Sequence, residues 1–124
     1  MTDHAHTQDI LILQRTPPYG SSLAREGIDY ALTSAAYDQN ISILFLGDGV
    51  FQTLKNQDSK AIQQKNHGGA LDVLPLYEIE NLYVIEEDLK IRGITPEQVI
   101  DTIKVISNSE GNELIHIHSK IIGF

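Results

Sequence analysis

The groups in this sequence that could do chemistry are its histidines, a run of acidic side chains and two loops bearing glycine, serine or threonine. His116 and His118 form an H-x-H pair, which on a strand would project both rings to one side and could hold a metal with a third ligand. No third ligand of matching spacing is evident. His67 stands beside Gly68-Gly69 and could act as a base, yet no serine or cysteine nucleophile with a recognisable motif accompanies it. Glu86 and Glu87 could form an acid/base couple, but adjacent residues on a helix do not face each other. Stabilising a helix N-terminus is the simpler role for these carboxylates. In "TPPYGSS", Thr16, Ser21, Ser22 and a helix N-terminus could surround an anion. Two prolines and Tyr19 crowd that loop, and helix capping accounts for its serines. Gly47-Asp48-Gly49 leaves a buried strand where open α/β sheets keep their ligands. The dinucleotide pattern G-x-G-x-x-G fails there, because Gln52 lies three residues beyond Gly49.

Composition restricts the chemistry further. A chain of 124 residues with ordinary apolar content fits a single domain. Its formal charge is −8 at pH 7, Lys and Arg are scattered, and acidic groups gather at Glu78, Glu80 and Glu86-Glu87-Asp88. That argues against direct binding of nucleic acid, which needs a basic stripe. The sequence has no cysteine, so disulfides, thiolate metal ligands and any persulfide would have to come from a partner. The apolar runs Ile10 to Leu13 and Ile43 to Leu46 are strand-sized, far short of the roughly 20 residues of a membrane helix. Residues 1–8 have no signal-peptide character and are expected to form a disordered tail ahead of a single domain over 9–124, in a cytoplasmic protein.

The elements that must position these groups alternate between strand and helix. "DILILQ", Asp9 to Gln14, reads as the first strand. From Leu23 to Tyr37, apolar groups recur at helical spacing, with Gly27 on the packing face as a point of close approach to a strand. "ISILF" is the second strand. A helix start is expected at Asp58 or Ser59, a weak point at Gly68-Gly69 and a break near Pro75. Asn81 to Ile85 is the third strand, followed by a short helix stopping at Gly93. "TPEQVI" offers a helical turn or an extended link, and Thr102 to Ser107 is the fourth strand. "ELIHIHSKIIGF" is either one alternating strand from Leu114, or a helix from about Ser109 to His118 with a last strand from Lys120 to Phe124. The expected class is α/β: three layers, α/β/α, around a mainly parallel sheet of about five strands, flavodoxin-like in architecture.

"RTPPYGSSLAREGIDYALTSAAYDQNISILFLGDGVFQTL" resembles the N-terminal half of the TusC/DsrF family, in which an R-E-G-[LI]-D helix is followed by a strand ending in D-G-V-F-Q. "LPLYEIENLYVIEEDLKIRGI" and "KIIGF" resemble later segments of the same DsrE/DsrF-like group. The resemblance implies a subunit of a sulfur-relay complex, without catalytic residues, metal or cofactor of its own. Its partners would be TusB-like and TusD-like sister chains in a heterohexamer with two copies of each. The TusD-like chain would carry the acceptor cysteine and hand sulfur to a downstream carrier, toward 2-thiolation of the tRNA wobble uridine. In sulfur oxidisers the related DsrE, DsrF and DsrH chains serve dissimilatory metabolism. Counting back from Arg92-Gly93 puts Ile85 at about the position of the acceptor cysteine. The resemblance also implies that the C-terminus is helix then strand. On this reading Tyr19, Asp48, Phe51 and Tyr77 are the expected subunit-interface residues. The competing reading is a flavodoxin-like protein that binds a small anion through Thr16 to Ser22.

Overall fold

A computed structural model describes residues 9–55 and 67–124. The N-terminal tail and the helix start expected at Asp58 or Ser59 lie outside the described residues. Strands β1 (Asp9–Gln14), β2 (Asn40–Phe45), β3 (Asn81–Ile85), β4 (Lys104–Ile106) and β5 (Lys120–Gly123) form one sheet in the order β4-β3-β2-β1-β5. Every pairing is parallel, with Ile12 opposite Ile43 and Ile122, Ile43 opposite Leu82, and Val84 opposite Val105.

A parallel sheet must be covered on both faces, and side-chain alternation assigns each face its residues. Ile10, Ile12, Ile41, Ile43, Phe45, Leu82 and Val84 point to one side. There they meet Ile28 and Ala31 of α1 (Leu23–Ala36), Leu71 of α2 (His67–Asp72) and Leu89 of α3 (Glu86–Ile91). Leu11, Leu44 and Ile85 point to the other side, under Leu114 and Ile115 of α4 (Asn108–Ile117). This gives the three-layer architecture, with α4 the cover of the second face among the described residues. Gly111 lets α4 lie close to the sheet: a Cβ there would come within 2.5 Å of Ile85 Cδ1. Gly27 has the packing role its position implies. The group that fills its space is the Gln14 side chain, whose Nε2 donates to the Ala24 carbonyl at 3.0 Å.

Several boundaries differ from the sequence reading. α2 runs through Gly68-Gly69 without a break and ends at Asp72, and Pro75 sits in the first turn of a 3-10 helix, Leu74–Tyr77. Proline is accepted there because a first-turn N–H has no helical partner to lose. β4 is shorter than Thr102 to Ser107, since Ile103 N–H is taken by the Ile100 carbonyl and Ser107 caps α4. The alternation from Leu114 is helical: Ser107 and Glu110 form a capping box that starts α4. "TPEQVI" holds a 3-10 turn, Pro96–Gln98.

Candidate functional site

At the C-terminal ends of β1, β2 and β3 lie the Thr16 loop, the Gly47-Asp48-Gly49 turn and the acidic run, and hydrogen bonds link the three. After β2 the segment Gly47–Thr53 is a 3-10 helix. Gly47 N–H donates to Asp88 Oδ2 at 2.8 Å. Asp48 Oδ1 accepts from Arg92 Nε at 3.0 Å and lies 3.0 Å from Arg92 Nη2, while Arg92 Nη1 donates to the Asp88 carbonyl at 3.1 Å. Gly49 lies against the Gln14 backbone, where any Cβ would overlap the Gln14 carbonyl. Gln52 is fully buried, and its Nε2 donates to the Thr16 carbonyl at 2.7 Å. Leu54 then bridges Val99, with Lys55 N–H donating to the Gln98 carbonyl and Ile100 N–H to the Thr53 carbonyl, both at 2.8 Å. The D-G-V-F-Q stretch is thus a keystone tying together the ends of β1, β2 and β3. At its start the Gly47 amide is taken by Asp88 and the Gly49 amide by the Leu46 carbonyl.

The crevice between β3 and β4 is where the connections leave to opposite faces, α3 toward the main core and α4 toward the second. Such crevices are the usual ligand positions of open α/β sheets. Here Glu87 Oε1 accepts from Asn108 N–H at 3.0 Å, and Glu110 Oε1 accepts from Ser107 N–H at 2.9 Å. The acidic run therefore does more than match its own helix dipole: Glu87 caps the first turn of α4, and Asp88 holds the β2 loop. Both contacts join residues far apart in sequence, so no local pattern announced them. Ile85 immediately precedes α3, is 3% exposed, and is pressed beneath Gly111. Ile85, which the resemblance places at about the position of an acceptor cysteine, is thus an apolar side chain buried under α4.

The anion reading of Thr16 to Ser22 meets a carboxylate. Ser22 Oγ donates to Glu26 Oε2 at 2.6 Å, Ser21 Oγ accepts from Leu23 N–H at 3.3 Å, and Glu26 lies in the first turn of α1. A negative charge there opposes a second anion. His116 lies within α4 and His118 follows its end, donating from Nδ1 to the Leu114 carbonyl at 2.7 Å. The strand geometry that would aim both rings to one side is therefore absent. Among the described residues no group of three His, Asp or Glu could hold a metal. His67 begins α2, and its side chain lies outside the described residues.

The four expected interface residues fall in different places. Asp48 is clamped to Arg92. Phe51 is half-buried and packs against the main core. Tyr19, 43% exposed, lies in the loop after β1. Tyr77, 51% exposed, lies toward the opposite end of the sheet, ahead of β3, with exposed Val73 and Leu76. The structure brings Asp48 and Phe51 into one segment and leaves Tyr77 apart from them. Among the described residues no helix is long and apolar enough to cross a membrane.

A family model, that of the DsrE/DsrF-like family, matches residues 8–124. The chain belongs to this family. Protein TusC homolog of Vibrio vulnificus (strain CMCP6) is 34% identical over 112 residues, covering 90% of this chain and 95% of that one. Intracellular sulfur oxidation protein DsrF of Allochromatium vinosum is 30% identical over 128 residues, covering 92% and 94%. The ychN protein from E. coli superposes with a TM-score of 0.81 at 19% identity, over 94% of this chain and 99% of that one. MTH1491 from Methanobacterium thermoautotrophicum gives 0.74 at 11%, again over 94% and 99%. These two structures share the DsrE-like fold. With the all-parallel sheet, they agree with the expected α/β class.

Proposed function

We propose that this DsrE/DsrF-like chain is a sulfur-relay subunit that carries no sulfur itself and acts through assembly. The observation behind this reading is that the chain offers no thiol at the β3/β4 crevice: it has no cysteine, and Ile85 there is buried under Gly111. A persulfide relay needs a thiolate to attack and then hold the sulfane sulfur, so that group must reside on a partner. The identity to TusC homologs favours a cytoplasmic heterohexamer with TusB-like and TusD-like chains, two copies of each, delivering sulfur through a downstream carrier for tRNA wobble-uridine 2-thiolation. The identity to DsrF favours a second reading, the same subunit role in sulfur oxidation.

Deleting the gene and quantifying 2-thiouridine in hydrolysed tRNA tests the first reading, with a fall restored by complementation as the expected result. Unchanged thiouridine with impaired oxidation of stored sulfur selects the second. If neither changes, the chain is not part of a relay.

A further inference from the structure

The sheet has two edges, and they differ. β4 is three residues long, as protected edges often are. β5 is longer and lies beside β1 with Lys120, Ile121 and Gly123 exposed. Just beyond it, Phe124 N–H donates to the Leu13 carbonyl and the Phe124 carbonyl accepts from Arg15 N–H, both at 2.8 Å. In a parallel ladder the N–H and C=O of alternate residues face the same neighbour. Phe124, Ile122 and Lys120 therefore face β1, and Ile121 and Gly123 turn their N–H and C=O outward. Among the described residues nothing bonds to those outward groups.

The surroundings of this edge are charged. Ile122 and Phe124 belong to the main-core face, so Ile121 and Gly123 lie on the second face. Arg15 continues the second-face row of Leu11 and Leu13, and its guanidinium reaches across to β5. An ideal Cβ on Gly123 would lie 2.8 Å from Arg15 Nη2 and 3.2 Å from Nε. Because Gly123 has no side chain, the guanidinium lies directly over the edge. Neither Arg15 nor Lys120 forms an ion pair among the described residues, although the chain as a whole carries a formal charge of −8. An unpaired cation beside free strand groups and a 38%-exposed Ile121 matches an extended acidic segment.

We infer that the β5 edge is a docking site for an extended segment of a sister subunit, which adds as a strand along Ile121 to Gly123 and sets a carboxylate against Arg15. The backbone groups supply the pairing, as in strand addition generally, and Arg15 selects the acidic partner. This rests on the multi-subunit reading above and names one of its contact surfaces.

The test uses the full chain and the TusB-like and TusD-like chains of the same organism, with assembly followed by native mass spectrometry and titration. Ile121→Pro deletes an outward N–H without removing a β1 bond, and proline is tolerated on a strand edge whose N–H faces solvent. Arg15→Glu reverses the charge and leaves the backbone alone. Both are expected to weaken assembly by about tenfold or more, with urea midpoints of the isolated chain close to wild type. Lys104→Glu on the β4 edge, the same charge change, is expected to leave assembly near wild type. If wild type assembles and Arg15→Glu assembles equally well, the docking site is refuted while the multi-subunit reading stands, and the edge cations serve only to prevent self-pairing. A folded Ile121→Pro that assembles normally refutes the docking site in the same way. If wild type ignores both sister chains, both readings fall.

Discussion

Asp48 and Arg92 are 44 residues apart in sequence, yet Asp48 Oδ1 sits 3.0 Å from Arg92 Nε. The contact closes the D-G-V-F-Q loop onto the end of α3 and stands beside a second one, Gly47 N–H to Asp88. The two have different exposure. The Asp48 side chain is 58% exposed and that of Asp88 24%. Asp48→Asn should therefore cost only about 0.5 kcal/mol, the scale of a screened surface pair. Asp88→Ala leaves a part-buried N–H without its charged acceptor and should cost about 2 kcal/mol. Urea midpoints of the two variants rank them, and a larger loss for Asp48→Asn would assign the loop's anchoring to the ion pair.

Gly111 and Ile85 form a packing pair that a double-mutant cycle can isolate. A Cβ at 111 would press on Ile85 Cδ1, so Gly111→Ala should destabilise by about 1–3 kcal/mol through overpacking. Ile85→Val removes the obstructing methyl at a cost of about 1 kcal/mol. The double variant should then be more stable than the sum of the single losses by at least about 0.5 kcal/mol. Strict additivity would mean that α4 shifts away from the sheet rather than resting on Ile85.

Two other glycines separate rigid from yielding neighbours. At Gly49 the obstruction is the Gln14 backbone, whereas at Gly27 it is the end of the Gln14 side chain. Gly49→Ala should therefore lose about 3 kcal/mol or more, and Gly27→Ala distinctly less, because a side chain can rotate and a strand carbonyl cannot. Thermal melts of both variants give the order. A milder effect at Gly49 would show that the loop can lift off β1.

How legible was this in the sequence? β1, β2 and β3 were, because each is a dense apolar run bounded by polar or turn residues. The stop at Gly93 was as well, since its φ of 71° is a conformation that suits glycine. The C-terminal helix was misleading on pattern alone: Ile115 and Ile117 alternate with His116 and His118 like a strand, and only the family resemblance and the capping pair Ser107/Glu110 point the other way. The site was less legible than the fold, because its contacts join residues distant in sequence. Asp48 could be picked out as a loop acid, but Arg92 could not be matched to it. Glu87 looked like a partner for its own helix, yet it bonds to the next one. Phe51, expected as an interface anchor on type and loop position, packs on the main core, so Phe51→Ala should lower stability by about 2 kcal/mol. Phe51 and Tyr77 both stay proposed contacts, and for the more exposed Tyr77 the change to Ala should alter stability by less than about 0.5 kcal/mol.

The final prediction concerns where the sulfur goes. A persulfide forms when a thiolate attacks sulfane sulfur and keeps it, and this sequence offers no thiol; Met1 is a thioether and cannot substitute. Incubating the purified chain with a cysteine desulfurase and cysteine should leave its intact mass unchanged, while a TusD-like partner in the same mixture gains sulfur. Ile85→Cys sharpens the test. Its thiol would replace a side chain that is 3% exposed, held between Leu44 and Gly111, where burial raises a thiol pKa and restricts attack. The variant should therefore remain unmodified at concentrations that load the partner, and react with a thiol reagent only after unfolding. Rapid labelling of folded Ile85→Cys would show that the crevice opens in solution, and the claim that this subunit lacks a sulfur site by shape as well as by composition would fail.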